Sequence, residues 1–179
     1  IALDRSMHQV YKVRAHWKHT DHPKIQKVLG MPPKIYTAFF VPDLTWKVRI
    51  KRCNFEKVDP QVWKYIDSFV CVEDEDPTSV NIELDRFDQA MSSVGVESFQ
   101  TAKGKKMISP ARFLHLLEQH TDLPRNIQIV CTEEMCKGEH SEPLILSMSN
   151  RKGKRALYLL PREFDWVEFC RFPSAPIVS

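Results

Sequence analysis

Apolar and polar residues alternate along several short segments of the chain, and this period of two predicts β-strands with one buried face. The alternation is clearest over 10–19 and 46–52, where apolar side chains alternate with lysine, arginine and histidine. Each of these two strands would carry a cationic outer face. Further strands are predicted over 34–41, 80–85, 126–131, 144–148 and 156–160.

Two other segments combine helix-capping residues with apolar side chains at helical spacing. An aspartate followed by a proline opens the segment 59–69, and a serine followed by a proline opens the segment 109–120. Such pairs satisfy and start the first turn of a helix. Basic hairpin tips are predicted over 102–106 and 150–155. The sequence therefore predicts a mainly β fold with short helices.

Composition excludes several classes of protein. The 179 residues are 42% hydrophobic and 27% charged, which is typical of a globular domain and not of a disordered tail. No apolar run reaches the roughly 18 residues of a membrane helix, and no secretion signal opens the chain. The five cysteines have irregular spacing, which favours reduced thiols and a cytoplasmic or nuclear location. Because the chain lacks an initial methionine, we expect it to be part of a longer protein.

The charge balance permits nucleic-acid binding without requiring it, since the formal net charge is +3. Clustering of the cations on one face matters more than their total number. No hydrolase or phosphate-loop motif is present, so we predict no catalytic activity and no cofactor. Cys131, Cys136 and His140 are close enough in sequence to suggest a zinc site, but their spacing matches no standard zinc finger and an ordinary exposed loop explains them better.

Four consecutive segments in the second half of the chain carry a family resemblance. They are the residues 97–109 with their lysine-rich turn, the helix residues 112–114, the strand 142–147 and the strand 158–164. In their order and spacing these segments resemble the PAZ domain of Argonaute, Piwi and Dicer proteins. The resemblance covers about residues 80–169.

This resemblance implies a small OB-like barrel with a hairpin-helix appendage. It also implies three parts of the chain: a β-rich extension or part of the same domain over 1–70, a PAZ-like domain over 71–172 and a tail over 173–179. The cleft between barrel and appendage would take the unpaired 3′ end of a small RNA, single-stranded or at the end of a short duplex. A protein partner could bind the N-terminal part.

The resemblance also assigns the binding residues. Apolar lining would come from Phe99, Phe113 and Leu160, with Tyr158 on the same closing strand, and a cationic rim from Lys103, Lys105, Lys106, Arg112 and His115. Rings stack on bases and cations neutralise phosphates in such sites. Phe99, Phe113 and Leu160 would also suit a plain hydrophobic core.

Three places depart from the family pattern, and one of them is the strand residues 78–80, where the family usually has a tyrosine beside an arginine. Leu114 replaces the second helix aromatic, and Glu118 stands near the family's phosphate-binding tyrosine. The pocket would therefore be rebuilt, or high-affinity capture of the 3′ end would be lost. Two other functions remain open, a protein-interaction scaffold of β-strands and a zinc-stabilised DNA-binding domain.

Overall fold

The computed structural model describes residues 34–72 and 79–177. The strands in these ranges are β1 (Ile35–Phe39), β2 (Lys57–Val58), β3 (Ser79–Asp85), β4 (Lys105–Met107), β5 (Ile127–Val130), β6 (Cys136–Lys137), β7 (Pro143–Arg151), β8 (Lys154–Pro161) and β9 (Cys170–Pro176). The helices are α1 (Trp46–Arg52), α2 (Pro60–Tyr65), α3 (Ser93–Ala102) and α4 (Pro110–Gln119), and a 3-10 turn at Ile66–Ser68 follows α2.

The strands form one mixed sheet in the order β1-β3-β9-β5-β7-β8-β2, with β4 beside β9 and β6 beside β7. The pairs β5–β9 and β2–β8 are parallel, whereas the other pairs are antiparallel. Within the described ranges β1 and β2 end the path and do not pair with each other. The mainly β fold with short helices is confirmed, but the sheet is open and does not close into the predicted OB-like barrel.

The predicted strand over 46–52 is wrong, because this segment is helix α1. Thr45 caps the helix, its side chain accepting a hydrogen bond from the amide of Val48 at 3.3 Å. The buried side chains are Arg49, Ile50 and Cys53, which follow helical spacing. The basic residues of the last turn also favour a helix, since cations stabilise the negative end of its dipole.

The predicted hairpin around residue 102 is wrong as well. The segment forms helix α3, which Ser92 caps through the amide of Gly95, followed by the short strand β4. Val96 and Gln100 lie four residues apart and are both buried, which is the spacing of one face of a helix. Gly104 makes the turn between helix and strand at a φ of 71°, which glycine adopts without strain.

The remaining helices and strands predicted within the described ranges are confirmed. Helices α2 and α4 begin at the predicted caps, where Asp59 and Ser109 accept hydrogen bonds from amides of the first turn. Strands β1, β3, β5, β7 and β8 fall within the predicted segments or extend them by a few residues. The predicted strand over 10–19 lies outside the described residues.

Both predicted domain borders are crossed by the sheet. β1 and β2 come from the part over 1–70, predicted as an extension or as part of the same domain, and they pair with β3 and β8. Residues 173–176 are not a tail, because they belong to β9, which lies between β3 and β5. Strand β9 is buried along nearly its whole length, so these residues contribute to the core. No helix in the described ranges is long and apolar enough to cross a membrane.

Candidate nucleic-acid interface

The predicted apolar lining is largely inside the protein. Phe113 has no exposed surface, Leu160 is 4% exposed and Tyr158 is 9% exposed. Phe113 belongs to a run of eight buried residues, 110–117, by which α4 packs into the core. A ring without an exposed face cannot stack on a base, so the slot between Phe99 and Phe113 that the sequence predicts is not present in this conformation.

Two residues of the predicted cationic rim are buried too. Arg112 and Arg49 both place their guanidinium groups over the ring of Phe40, at 5.5 and 5.3 Å from its centroid. His115, which is 1% exposed, meets the same ring edge-on at 5.6 Å. Arg112, Arg49 and His115 therefore stabilise the contact between α4 and the segment after β1. Arg112 and His115 do not form the predicted rim.

The imidazole of His115 is held in one protonation state by its neighbours. Its Nε2 atom accepts from the amide of Val41 at 3.3 Å and lies 2.6 Å from Nη1 of Arg49, so it carries no proton. The Nδ1 atom lies 3.6 Å from a carboxylate oxygen of Glu118. Burial, followed by the charge of Arg49, lowers the pKa of His115.

This arrangement predicts that the protein loses stability in mild acid. The unfolded chain takes up a proton on His115 near pH 6.5, whereas the folded chain resists it until a lower pH. The free energy of unfolding should therefore fall as the pH drops below about 6.5. Urea unfolding at several pH values checks this. The decline should be reduced in His115→Gln but retained in His140→Gln, and equal declines in both variants would contradict the assignment.

The predicted residues around α3 and β4 have separate environments. Phe99 is 37% exposed and packs edge-on against Phe87, while Lys103 lies 5.7 Å above its ring. Lys106 is exposed on β4. Lys105 is instead paired with the carboxylates of Asp85 and Glu83. Phe99, Lys103 and Lys106 are thus the exposed members of the predicted set.

The zinc alternative receives no support from the described residues. They contain no group of three or more histidine, cysteine or acidic side chains that could hold a metal ion. Cys131 is fully buried and donates its thiol hydrogen to the carbonyl of Ile108 at 3.5 Å. Burial also raises the pKa of the Cys136 thiol to about 11, so this cysteine is a neutral thiol near pH 7.

A second exposed basic feature is the turn between β7 and β8. Lys152 and Gly153 have positive φ angles of 53° and 82°, as a two-residue hairpin turn requires. The amide of Lys152 donates to the side chain of Asn126 at 3.2 Å, and the side chain of Asn150 donates to the carbonyl of Pro124 at 2.9 Å. The turn is therefore fixed to the loop that precedes β5.

This fixed turn concentrates positive charge. We call Arg125, Arg151, Lys152 and Lys154 the basic tip. All four side chains are exposed, and Arg151 lies directly opposite Lys154 across the two strands. Like charges in that position oppose strand pairing. The hairpin itself was visible in the sequence, but the contribution of Arg125 depends on the loop packing beside Gly153, where a β-carbon would lie 3.6 Å from the guanidinium carbon of Arg125.

Strand directions bring two more arginines to the same end of the sheet. β3 and β9 are antiparallel with Asp85 opposite Phe172, so Arg86 follows next to Arg171. The parallel pairing of β9 with β5 then places Arg171 opposite Ile129, the third residue of β5, two residues along the strand from Ile127, which pairs with Asn150 beside the basic tip.

The edge strand β2 extends the same surface. It runs parallel to β8 and places the exposed Lys57 opposite Ala156 near the start of β8. We call this region the cationic end of the sheet, formed by the exposed basic tip and Lys57 together with the half-buried Arg86 and the buried Arg171. Among the described residues its only ion pair is the long contact of Lys154 with Glu56 at 3.8 Å. From β3 to β8 this end spans roughly 19 Å.

Lys103 and Lys106 lie at the opposite end of the sheet. β4 pairs with the last residues of β9, where Lys105 is opposite Pro176, whereas Arg171 is near the first residue of β9. Five residues along a strand separate the two ends by roughly 17 Å. Lys103 and Lys106 are therefore separate from the cationic end of the sheet, and one short segment of a ligand would contact one of these two ends but not both.

No family model, curated protein or solved structure matches the chain. The charged surfaces of the fold are therefore the basis for assigning a function.

Proposed function

We propose that this chain is a non-catalytic module that binds single-stranded RNA through the cationic end of the sheet. The observation that carries the proposal is the convergence of cations from neighbouring strand ends, with a single long ion pair among the described residues. Fixed cations on adjacent strands attract a polyanion and track its phosphates. The preference for RNA over other polyanions comes from the PAZ resemblance.

The rigidity of the basic tip supports binding over mere solubility. Lysines that only keep a protein soluble gain nothing from being held in place. Here Asn126 holds the turn of Lys152, and Arg151 is kept opposite Lys154 despite their repulsion. Preorganised charges lose less conformational freedom when a ligand binds. A bound phosphate chain would also relieve the repulsion within the tip.

The experiment compares two double variants that remove the same charge from opposite ends of the sheet. Arg151→Gln with Lys152→Asn alters the basic tip, and asparagine suits the positive φ of position 152. Lys103→Gln with Lys106→Gln alters the region that the sequence predicts as the rim. Binding of a fluorescent single-stranded RNA is then measured over a series of salt concentrations.

We expect the tip variant to bind about tenfold more weakly at 0.15 M salt, with the slope of log affinity against log salt reduced by about 1.4. The variant at positions 103 and 106 should bind like the unaltered protein. Because the tip variant also removes repulsion, its melting temperature should not fall. An unchanged slope in the tip variant would contradict the proposal. Weaker RNA binding by the variant at positions 103 and 106 would indicate that RNA binds at the predicted rim.

End capture is tested in the same titration. RNAs with a free and a blocked 3′ end are compared, because the PAZ resemblance implies a preference for the free end. The burial of Phe113 and Leu160 removes the predicted slot for a terminal base. We therefore expect equal affinity for the two RNAs. A preference for the free end would show that the slot opens on binding.

The exposed edge strand β1 favours a second function, that of a protein-interaction scaffold. Within the described residues β1 pairs with β3 alone, and its outer side chains Ile35 and Phe39 are 47% and 56% exposed. A partner strand could add to this edge only by displacing two side chains, because Gln119 bonds the amide and the carbonyl of Phe39 at 2.8 and 2.9 Å and the ring of His120 lies 2.7 Å from the carbonyl of Thr37. A scaffold without RNA binding would show no salt-dependent RNA affinity in the titration above.

A further inference from the structure

Among the residues that the structure describes, Arg171 is a buried cation without a carboxylate partner. Its residue is 8% exposed, and its guanidinium donates to the carbonyl of the adjacent Cys170 at 3.3 Å. No described acidic group pairs with it. A buried arginine is normally neutralised by a carboxylate, since an isolated charge away from water is costly. The positive charge of Arg171 is therefore not neutralised by any acidic group in the described part of the protein.

A second guanidinium adds another positive charge beside Arg171. Arg86 follows β3 and lies beside Arg171, because Asp85 and Phe172 are paired immediately before them in the ladder. The residue is half-buried, and it too has no acidic partner among the described residues. Burial, followed by the charge of Arg86, lowers the pKa of Arg171 to about 10. Burial alone lowers the pKa of Arg86.

The nearest acid in the chain does not neutralise the pair. The carboxylate of Asp85 points to the other face of the sheet, where it accepts from Lys105 and from Ser174 at 2.6 Å. Neighbouring residues of a strand alternate between faces, so Arg86 and Arg171 lie on the opposite side from Asp85. Two adjacent, partly desolvated guanidinium groups without acids are a configuration that an anion would stabilise.

We propose that Arg86 and Arg171 form a binding site for a phosphate dianion, either inorganic phosphate or a phosphate monoester. Each guanidinium offers a planar pair of N–H donors that matches two phosphate oxygens. A doubly charged phosphate neutralises both arginines, whereas a carboxylate neutralises one. The site does not depend on the RNA proposal.

The first test measures thermal unfolding with and without inorganic phosphate at constant ionic strength. Phosphate about 100-fold above its dissociation constant should raise the melting temperature by roughly 5 °C over chloride alone. Arg86→Gln should lose this rise. Without phosphate, the same variant should melt no lower than the unaltered protein, because it removes repulsion between like charges. Arg86 is the residue altered because it is less buried than Arg171.

The control is the tip variant Arg151→Gln with Lys152→Asn, which should keep the phosphate-induced rise. If phosphate gives no rise over chloride, or if Arg86→Gln keeps the full rise, the site is refuted. If Arg86→Gln is less stable than the unaltered protein without phosphate, Arg86 has a structural role and the proposal also fails.

A second arm identifies the source of the phosphate. Short RNAs with and without a terminal phosphate are compared as competitors of inorganic phosphate. Competition that requires the terminal phosphate indicates the end of a nucleic acid, and an absence of competition indicates a free phosphate compound. Both results support the site. Failure of the tip variant to change RNA affinity would refute the RNA proposal while leaving the phosphate response intact, so the two proposals can fail separately.

Discussion

Replacing Phe113 with alanine should lower the free energy of unfolding by about 3–5 kcal/mol, because it removes a fully buried ring from the core. For a chain of this size the melting temperature should fall by roughly 10 °C. Urea and thermal unfolding measure both values. This is the largest single effect that we expect, and it concerns a residue that the sequence suggests for RNA binding.

The matched control is Phe99→Ala, the same substitution at a ring that is 37% exposed. We expect it to cost about 1–2 kcal/mol, since that ring loses its contact with Phe87 but leaves no closed cavity. The comparison separates a core residue from a surface residue of the same type. A stable Phe113→Ala protein with strongly weakened RNA binding would contradict the structure and would favour the predicted slot.

Replacing Asp85 with alanine should also be strongly destabilising. Its carboxylate accepts hydrogen bonds from three elements: Gln100 of α3 at 3.1 Å, Lys105 of β4 and Ser174 of β9 at 2.6 Å. Gln100 and Ser174 are fully buried, so neither could turn to water. Unsatisfied buried donors and a half-neutralised lysine should together cost about 3 kcal/mol. Glu83 still pairs with Lys105 and limits the loss.

Urea unfolding of Asp85→Ala checks this value. Asp122→Ala provides the control, because it removes a carboxylate from the exposed ion pair with Lys34. Exposed pairs contribute little to stability, so this control should unfold close to the unaltered protein. Equal stability of the two variants would mean that Asp85 does not connect α3, β4 and β9 as described.

Local signals in the sequence were sufficient for several elements. Helix α4 was predictable because Ser109 and Pro110 start it and its apolar residues repeat at helical spacing. The turn at Lys152 and Gly153 was predictable because glycine favours the required positive φ. Caps, turns and periodicity act over a few residues, so the chain's own chemistry specifies them.

Helix α1 shows where such local reading is misleading. Trp46, Val48 and Ile50 alternate with cations, which is the usual pattern of a half-buried strand. The structure instead buries Arg49, whose guanidinium donates to the carbonyls of Leu44 and Val41 at 3.0 and 3.2 Å. Those acceptors come from the turn before the helix, so the pattern of polarity alone could not identify the buried face.

The same distinction applies to the candidate sites. Composition, the helix caps and the alternation of apolar and polar residues by themselves determined a mainly β protein with short helices and basic turns. Which cations meet was decided only by the tertiary structure, because strand order brings Arg86, Arg171 and the basic tip to one end from distant parts of the chain. Burial was decided in the same way. Phe113 would be apolar both as an RNA-stacking residue and as a core residue, and only the packing of the tertiary structure places it in the core. Long-range pairing sets these contacts, and no local pattern encodes it.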